Sequence, residues 1–313
     1  MTNNEVLDLI KKATLTTGDN GIQSPEDVEE FVDMMVDQNQ LLQNVRVETG
    51  ITKSLKLTAI DLGEPVITKG TEATAIDDAD VTKPTLPEIT LTPKESVAAF
   101  DLSYSFLRKN IRRESVNTDL NMAYAKRIGK DVSLVVMNGD TANAGSTRKD
   151  KALKILDGVI TKALADDDVN DHVIPADPTY KGKDGVLSAM INKLPEDFRE
   201  QRDELIFLVG HDVFDTYADE IGAIETALGS QVLITGKYND GLPYKGIKIL
   251  PVYGMPADTV VLTLKQNIAV GMGVEMQVLT QDQHRKRVQE VTIIHEFDAN
   301  YFLGRAIVLG QKA

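Results

Sequence analysis

The chain has 313 residues, 42% of them hydrophobic, with no cysteine, and its 34 basic against 48 acidic residues leave a net charge of −14. That length can bury a sizeable core and predicts more than one compact unit. The composition excludes disulfides, thiolate metal sites and cysteine nucleophiles, and the charge opposes nonspecific coating of nucleic acid, which relies on Lys and Arg neutralising phosphates. No apolar run is long enough to cross a bilayer. The opening residues MTNNEVLDLIKK lack the charged-then-apolar pattern of a secretion leader, so cytoplasmic synthesis is expected. Half of the charge, −7, falls in the first fifty residues, where ten acids face only Lys11, Lys12 and Arg46.

Residues 1–45 predict two short helices. Val6, Leu7 and Ile10 share a face in the first. Ser24-Pro25-Glu26-Asp27 starts the second with a serine cap and a proline in the first turn, and Phe31, Met34, Met35 and Leu41 follow at helical spacing. Residues 53–62 then alternate, with Leu55, Leu57 and Ala59 on one face, and predict a strand. Gly63-Glu64-Pro65, Lys69-Gly70, Asp77-Asp78-Ala79-Asp80 and Pro84-Thr85-Leu86-Pro87 are turn material. A second strand starts at Glu88 with Ile89 and Leu91 inward, and resumes after Pro93 through Val97, Phe100, Leu102 and Tyr104. Two strands flanking a polar tip make a long hairpin. A lone two-stranded ribbon is marginal in water, so this one is expected to lie on a neighbouring copy through Leu55, Leu57, Ile89 and Leu91.

Arg108, Lys109, Arg112 and Arg113 form a basic run without interleaved aromatic residues, which favours salt bridging between subunits over nucleic-acid binding. The clearest element follows. Over residues 117–139, Leu120, Tyr124, Ile128, Val132 and Val135 recur every three or four positions, the spacing of one helix face. Asn117 is placed to cap this helix and Asn138-Gly139 to close it with a left-handed residue. Gly129 inside it costs about 1 kcal/mol relative to alanine, so something is expected to pack closely there.

After a polar loop at 140–150, helices are predicted at 152–165 and 185–194, with an Asp- and Pro-rich loop at 166–183 between them. Residues 204–209 read as a buried strand entering a helix at Gly210-His211-Asp212, and 248–252, 259–264 and 267–271 read as further strands, giving an α/β lobe over 155–272. Two long strands, 275–281 and 287–297, and a last one at 305–309 complete an α+β chain.

Signatures of chemistry are weak. There is no phosphate-binding Gly-x-x-x-x-Gly-Lys loop, Gly-x-Ser-x-Gly elbow or His-Glu-x-x-His helix. His211-Asp212 is a dipeptide found in metal-dependent hydrolases, but His172, His284 and His295 lack ligand spacing, and Asp212 is expected to cap a helix. Asp166, Asp168, Asn170 and Asp177 imitate a calcium loop without its glycine or its final glutamate. His284-Arg285-Lys286-Arg287 is the densest basic run, and Arg285 and Arg287, with Arg108 and Arg112, are candidate contacts to an acidic neighbour.

Three stretches carry a family resemblance: residues 86–110, LPEITLTPKESVAAFDLSYSFLRKN, leading into the long helix and VVMNGD; residues 245–258, KGIKILPVYGMPAD; and residues 295–310, HEFDANYFLGRAIVLG. In order and spacing they resemble the major capsid proteins of tailed bacteriophages, the fold first seen in phage Hong Kong 97. The resemblance spans nearly everything after residue 45. It implies an N-terminal arm (1–49), an extended β-hairpin loop (50–101), a peripheral domain holding the spine helix (102–154 and 273–313) and an axial α/β domain (155–272). It further implies a virion shell of pentamers and hexamers around double-stranded DNA bound without sequence specificity, assembled in the bacterial host with a portal, a separate scaffolding protein and a decoration protein as partners. No cofactor, catalytic residue, metal or membrane is implied. Lys69 has the position of the lysine that the founding member crosslinks to an asparagine, but no matching acid and asparagine can be placed. An encapsulin-type compartment shell resembles the same fold and is the alternative.

Overall fold

The computed structural model of the chain describes residues 32, 33, 35–37, 39–59, 67, 81, 86–105, 113–223, 242–274 and 277–312. The predicted first helix of the arm, Lys69, Arg108, Arg112 and Leu120's side chain lie outside what is described. Two sheets organise the rest. In the first, β1 (Arg46–Ile51), β10 (Ile268–Gly273), β12 (Val288–Tyr301) and β11 (Gln277–Gln283) follow one another, and β4 (Lys94–Ser103) pairs along the opposite edge of β12. The second has the order β5 (Asn170–Ile174), β13 (Val308–Lys312), β9 (Val260–Leu264), β6 (Leu205–Val209), β8 (Ile247–Pro251) and β7 (Leu242–Tyr244). A two-stranded ribbon, β2 (Leu55–Thr58) with β3 (Glu88–Leu91), stands apart.

The long helix α2 (Arg113–Asn138) holds the sheets together. Its Tyr124, Ile128, Val132 and Val135 share one core with Ile293 and Phe297 of the first sheet and with Ile206, Leu208 and Leu250 of the second. Residues 132–137 are buried on every side, which is how a helix inside a core behaves, while Arg127 and Lys126 on the earlier turns reach solvent. Strand β6 is buried throughout because it serves two cores. Ile206 and Leu208 face the helix, and Phe207 and Val209 face a second cluster with α5 (Val186–Lys193) and α7 (His211–Gly222).

Both expected ends of the long helix differ. It begins at Arg113, so Asn117 lies inside it rather than capping it. Gly139 is not left-handed; it is small because a side-chain carbon there would run into the Leu156 carbonyl. Its own carbonyl accepts from Gly158 N–H at 2.9 Å and from Thr161 Oγ1 at 2.5 Å. That approach splits the helix expected at 152–165 into α3 (Arg148–Leu153) and α4 (Val159–Leu164). A capping box between Thr147 and Asp150 starts α3 inside the stretch that reads as a polar loop. Strands β1, β5 and β7 carry too few alternating apolar residues to be predicted, and neighbouring strands recruit them. Sheet membership also crosses the expected domain limits, since β10 joins the first sheet and β13 the second.

The neighbour expected at Gly129 is the segment that holds Met35 and Asn39. Buried Asn39 donates from Nδ2 to the Gly129 carbonyl at 2.6 Å, and its Oδ1 accepts from Leu41 N–H, Leu42 N–H and Ser133 Oγ at 2.9, 3.3 and 2.9 Å. It thereby caps α1 (Gln40–Asn44) and fastens it to α2 in one step. The Met35 carbonyl would lie 3.3 Å from a side-chain carbon at position 129, so glycine leaves room for the contact. Asn39→Ala is expected to cost about 1–3 kcal/mol in urea unfolding, and Ile128→Ala, in a site 3% exposed, about 2–5 kcal/mol. Unchanged midpoints for both would mean that this junction does not support the fold.

Candidate assembly surfaces

Register in the ribbon sets Leu55 opposite Leu91 and Leu57 opposite Ile89. These four residues do not share one fate. Ile89 and Leu91 are 7% and 0% exposed, packed with Ile51 and Ala269 of their own chain, whereas Leu55 and Leu57 lie half-buried at the margin of that cluster. The sequence reading offers Ile89 and Leu91 to a neighbouring copy; here the ribbon's root spends both on its own body. The reason is Gly271 on β10, where any side-chain carbon would strike Ile51 and crowd Leu91. Thr92 N–H adds a 2.7 Å bond to Asp298. Further out, Ile67, Val81 and Leu86 are exposed.

The basic turn between β11 and β12 is stapled to the end of β4. Tyr104 N–H donates to the Arg287 carbonyl at 3.0 Å, and Tyr104 Oη meets His284 Nδ1 at 3.1 Å. Arg287 takes a left-handed conformation, φ 54°, and Lys286 pairs with Glu290 at 3.0 Å. Arg285 and Arg287 are exposed.

In the His211-Asp212 dipeptide, Asp212 has a different role from the one expected. Asp212 does not cap α7; Gly210 holds that position without a side-chain bond. The Asp212 carboxylate instead accepts from Asp258 N–H at 2.8 Å and holds a left-handed turn there. Two of the calcium-like residues have partners within the fold. Asp166 accepts from Tyr301 Oη at 2.8 Å and Asn170 in β5 donates to the Arg305 carbonyl. Among the described residues, no three His, Asp or Glu side chains converge on a point that could hold an ion.

A groove of about 930 Å³ that sequence reading missed runs between β4, α2 and α3. Phe100, Ile128, Val132 and Ile155 make its apolar floor, with Arg127, Arg148, Lys149 and Lys151 around it. Arg127 bonds Asp131 at 2.9 Å, which raises its pKa above the ordinary arginine value, and it lies 6.0 Å over the ring of Tyr253, with Lys130 5.7 Å from the same ring. The available signal was the run Arg148-Lys149-Asp150-Lys151 in so acidic a chain. At one end His295 stacks on Phe297 with centroids 5.6 Å apart, and Ser96 Oγ lies 3.0 and 3.2 Å from its ring nitrogens.

The chain is 23% identical to YqbE of Bacillus subtilis (strain 168), named as a prophage capsid protein, over 96% of this chain and 95% of that one. No protein-family model matches. Among solved structures, it resembles a chain of the satellite phage P4 procapsid with its size determination protein, at a TM-score of 0.65 and 15% identity over 91% of this chain and 99% of that one. The capsid of an empty GTA particle and Mycobacterium phage Bobi match at 0.57 and 0.55, each at 12% identity over 88% of this chain and 90% of theirs. The shared architecture is the Hong Kong 97-type fold.

Burial pulls the His295 pKa down to about 4, from about 6.5 in an unfolded chain. Between those values the unfolded chain binds the proton first. This histidine's contribution is therefore full above about pH 6.5 and is lost as pH falls toward 4, by at most about 3 kcal/mol. Urea unfolding at pH 7 and pH 4.5 should show a smaller loss in His295→Gln than in the parent chain. Equal losses would assign the acid sensitivity to carboxylates alone.

Proposed function

We infer that this chain, a major capsid protein of the tailed-phage family, is the structural subunit that builds the head shell of a phage or prophage. The observation that carries this is the extent of the likeness, since 96% of the chain matches 95% of a prophage capsid relative and no stretch of domain size is left over. Its role is structural rather than catalytic. Copies assemble as pentamers and hexamers into a virion shell around double-stranded DNA, held by geometry and many modest interfaces rather than by base recognition. Residues 1–49 serve as the arm and 50–101 as the extended loop. The first sheet with α2 forms the peripheral unit and the second sheet the axial unit. Assembly takes place in the host cytoplasm with a separate scaffolding protein, and the shell receives a portal and a decoration protein. The capsid relative favours this over a compartment shell, and nearby portal and terminase genes, rather than a cargo enzyme, are expected.

Electron microscopy of the expressed chain, alone and with its candidate scaffold, tests the assembly. Closed shells of five- and six-fold rings are expected; a monomer that never assembles under either condition would sink the reading. Trypsin should cut at Lys69 in unassembled subunits and not in particles, because the extended loop lies on a neighbour once the shell forms. Equal resistance in a proven monomer would mean that the loop folds on its own body. Salt should promote assembly, since subunits at −14 repel over a Debye length of about 10 Å at 0.1 M. Light scattering that falls with salt would instead make attractive contacts by cations such as Arg285 and Arg287 the dominant long-range effect.

A further inference from the structure

The groove beside β4 combines three features. The first is charge: four cations, Arg127, Arg148, Lys149 and Lys151, face only two carboxylates, Glu95 and Asp131, in a chain that is otherwise strongly acidic. Asp131 is already paired with Arg127, while Arg148, Lys149 and Lys151 are exposed on α3. The second is an apolar wall open to solvent where Phe100 and Ile155 are half-buried, with Val97 at the lip 58% exposed. The third is backbone. Six consecutive residues of β4, 95–100, line the groove. Among the described residues β4 pairs with β12 alone, so every second N–H and C=O along its outer edge is turned away from the sheet.

We propose that this groove docks an acidic, extended segment of a separate partner chain, which adds to the free edge of β4 as a further strand. Main-chain bonds to the edge would supply affinity, alternate apolar side chains would fill the floor, and carboxylates on the other face would meet α3. A second copy of this chain fits less well. Its acidic stretches are residues 1–31, which read as helices, and the hairpin tip at 60–85, which Gly63, Pro65, Gly70 and Pro84 interrupt. Neither offers an unbroken alternation of acidic and large apolar residues. The docking is a property of one folded chain and stands or falls independently of shell formation.

The test is fluorescence anisotropy on the unassembled full-length chain. The probe is a labelled peptide of alternating Glu and Val about eight residues long, a common strand length. It should bind, weaken as salt rises, and weaken at least about tenfold in the double variant Lys149→Glu, Lys151→Glu. The same peptide N-methylated at alternate amides should bind poorly, because it keeps its charge and loses its edge bonds. Circular dichroism checks the variant's fold. Should the variant not fold, slowed amide exchange at residues 95–100 of the parent chain on adding peptide reads the same contact. No binding, equal binding of a Lys–Val peptide, indifference to N-methylation, or unchanged exchange at 95–100 each overturns the proposal. Tighter binding by a synthetic peptide of residues 60–86 assigns the groove to a second copy and overturns the separate partner.

Discussion

One buried amide fixes where the segment around Asn39 joins the body of the chain. Asn39 must satisfy a donor group and an acceptor atom away from water, and it does so with the Gly129 carbonyl on one side and with Leu41, Leu42 and Ser133 on the other. A buried amide left unpaired would cost more than its bonds gain, so the segment around Asn39 has one position that suits it. From that position β1 enters the first sheet parallel to β10, a pairing that no hairpin could create because parallel strands need a long crossover. Here the crossover is most of the molecule.

The second organising fact is that the two sheets share a core without sharing a strand. Helix α2 is the common wall, and both sheets lay apolar residues on it. Strand β6 explains why the six-stranded sheet tolerates this arrangement, since its alternate residues serve two cores at once. The consequence is that both sheets are tied to one core. A shell subunit must pass loads between neighbours through its interior, and a close-packed core without gaps deforms little.

Charge is distributed so that the acidic and basic parts have different work. The excess acid is heaviest before residue 50. Two clusters of exposed cations stand apart from it, at the β11–β12 turn and at the rim of the β4 groove. In a chain whose copies repel, attractive contacts have to be local, and screening leaves them effective only within about 10 Å at moderate salt.

Periodicity in the sequence determined the long helix, the apolar strands β6, β8 and β9, the two long closing strands and the inward faces of the two ribbon strands, because each declares its buried face within a few residues. It also determined that Gly129 needed a close neighbour, from the propensity it sacrifices. Tertiary structure alone decided which neighbour that is, and it decided the fate of Ile89 and Leu91. Both read as a face waiting for another copy, but the space that takes them is opened by Gly271, some 180 residues away along the chain. Strands β1 and β5 and the cation-rimmed groove escaped for the same reason. A polar edge strand and a cluster drawn from β4, α2 and α3 have no local pattern, since what defines them is a partner brought close by folding. Local spacing encodes which residues are buried; only the closed chain fixes against what.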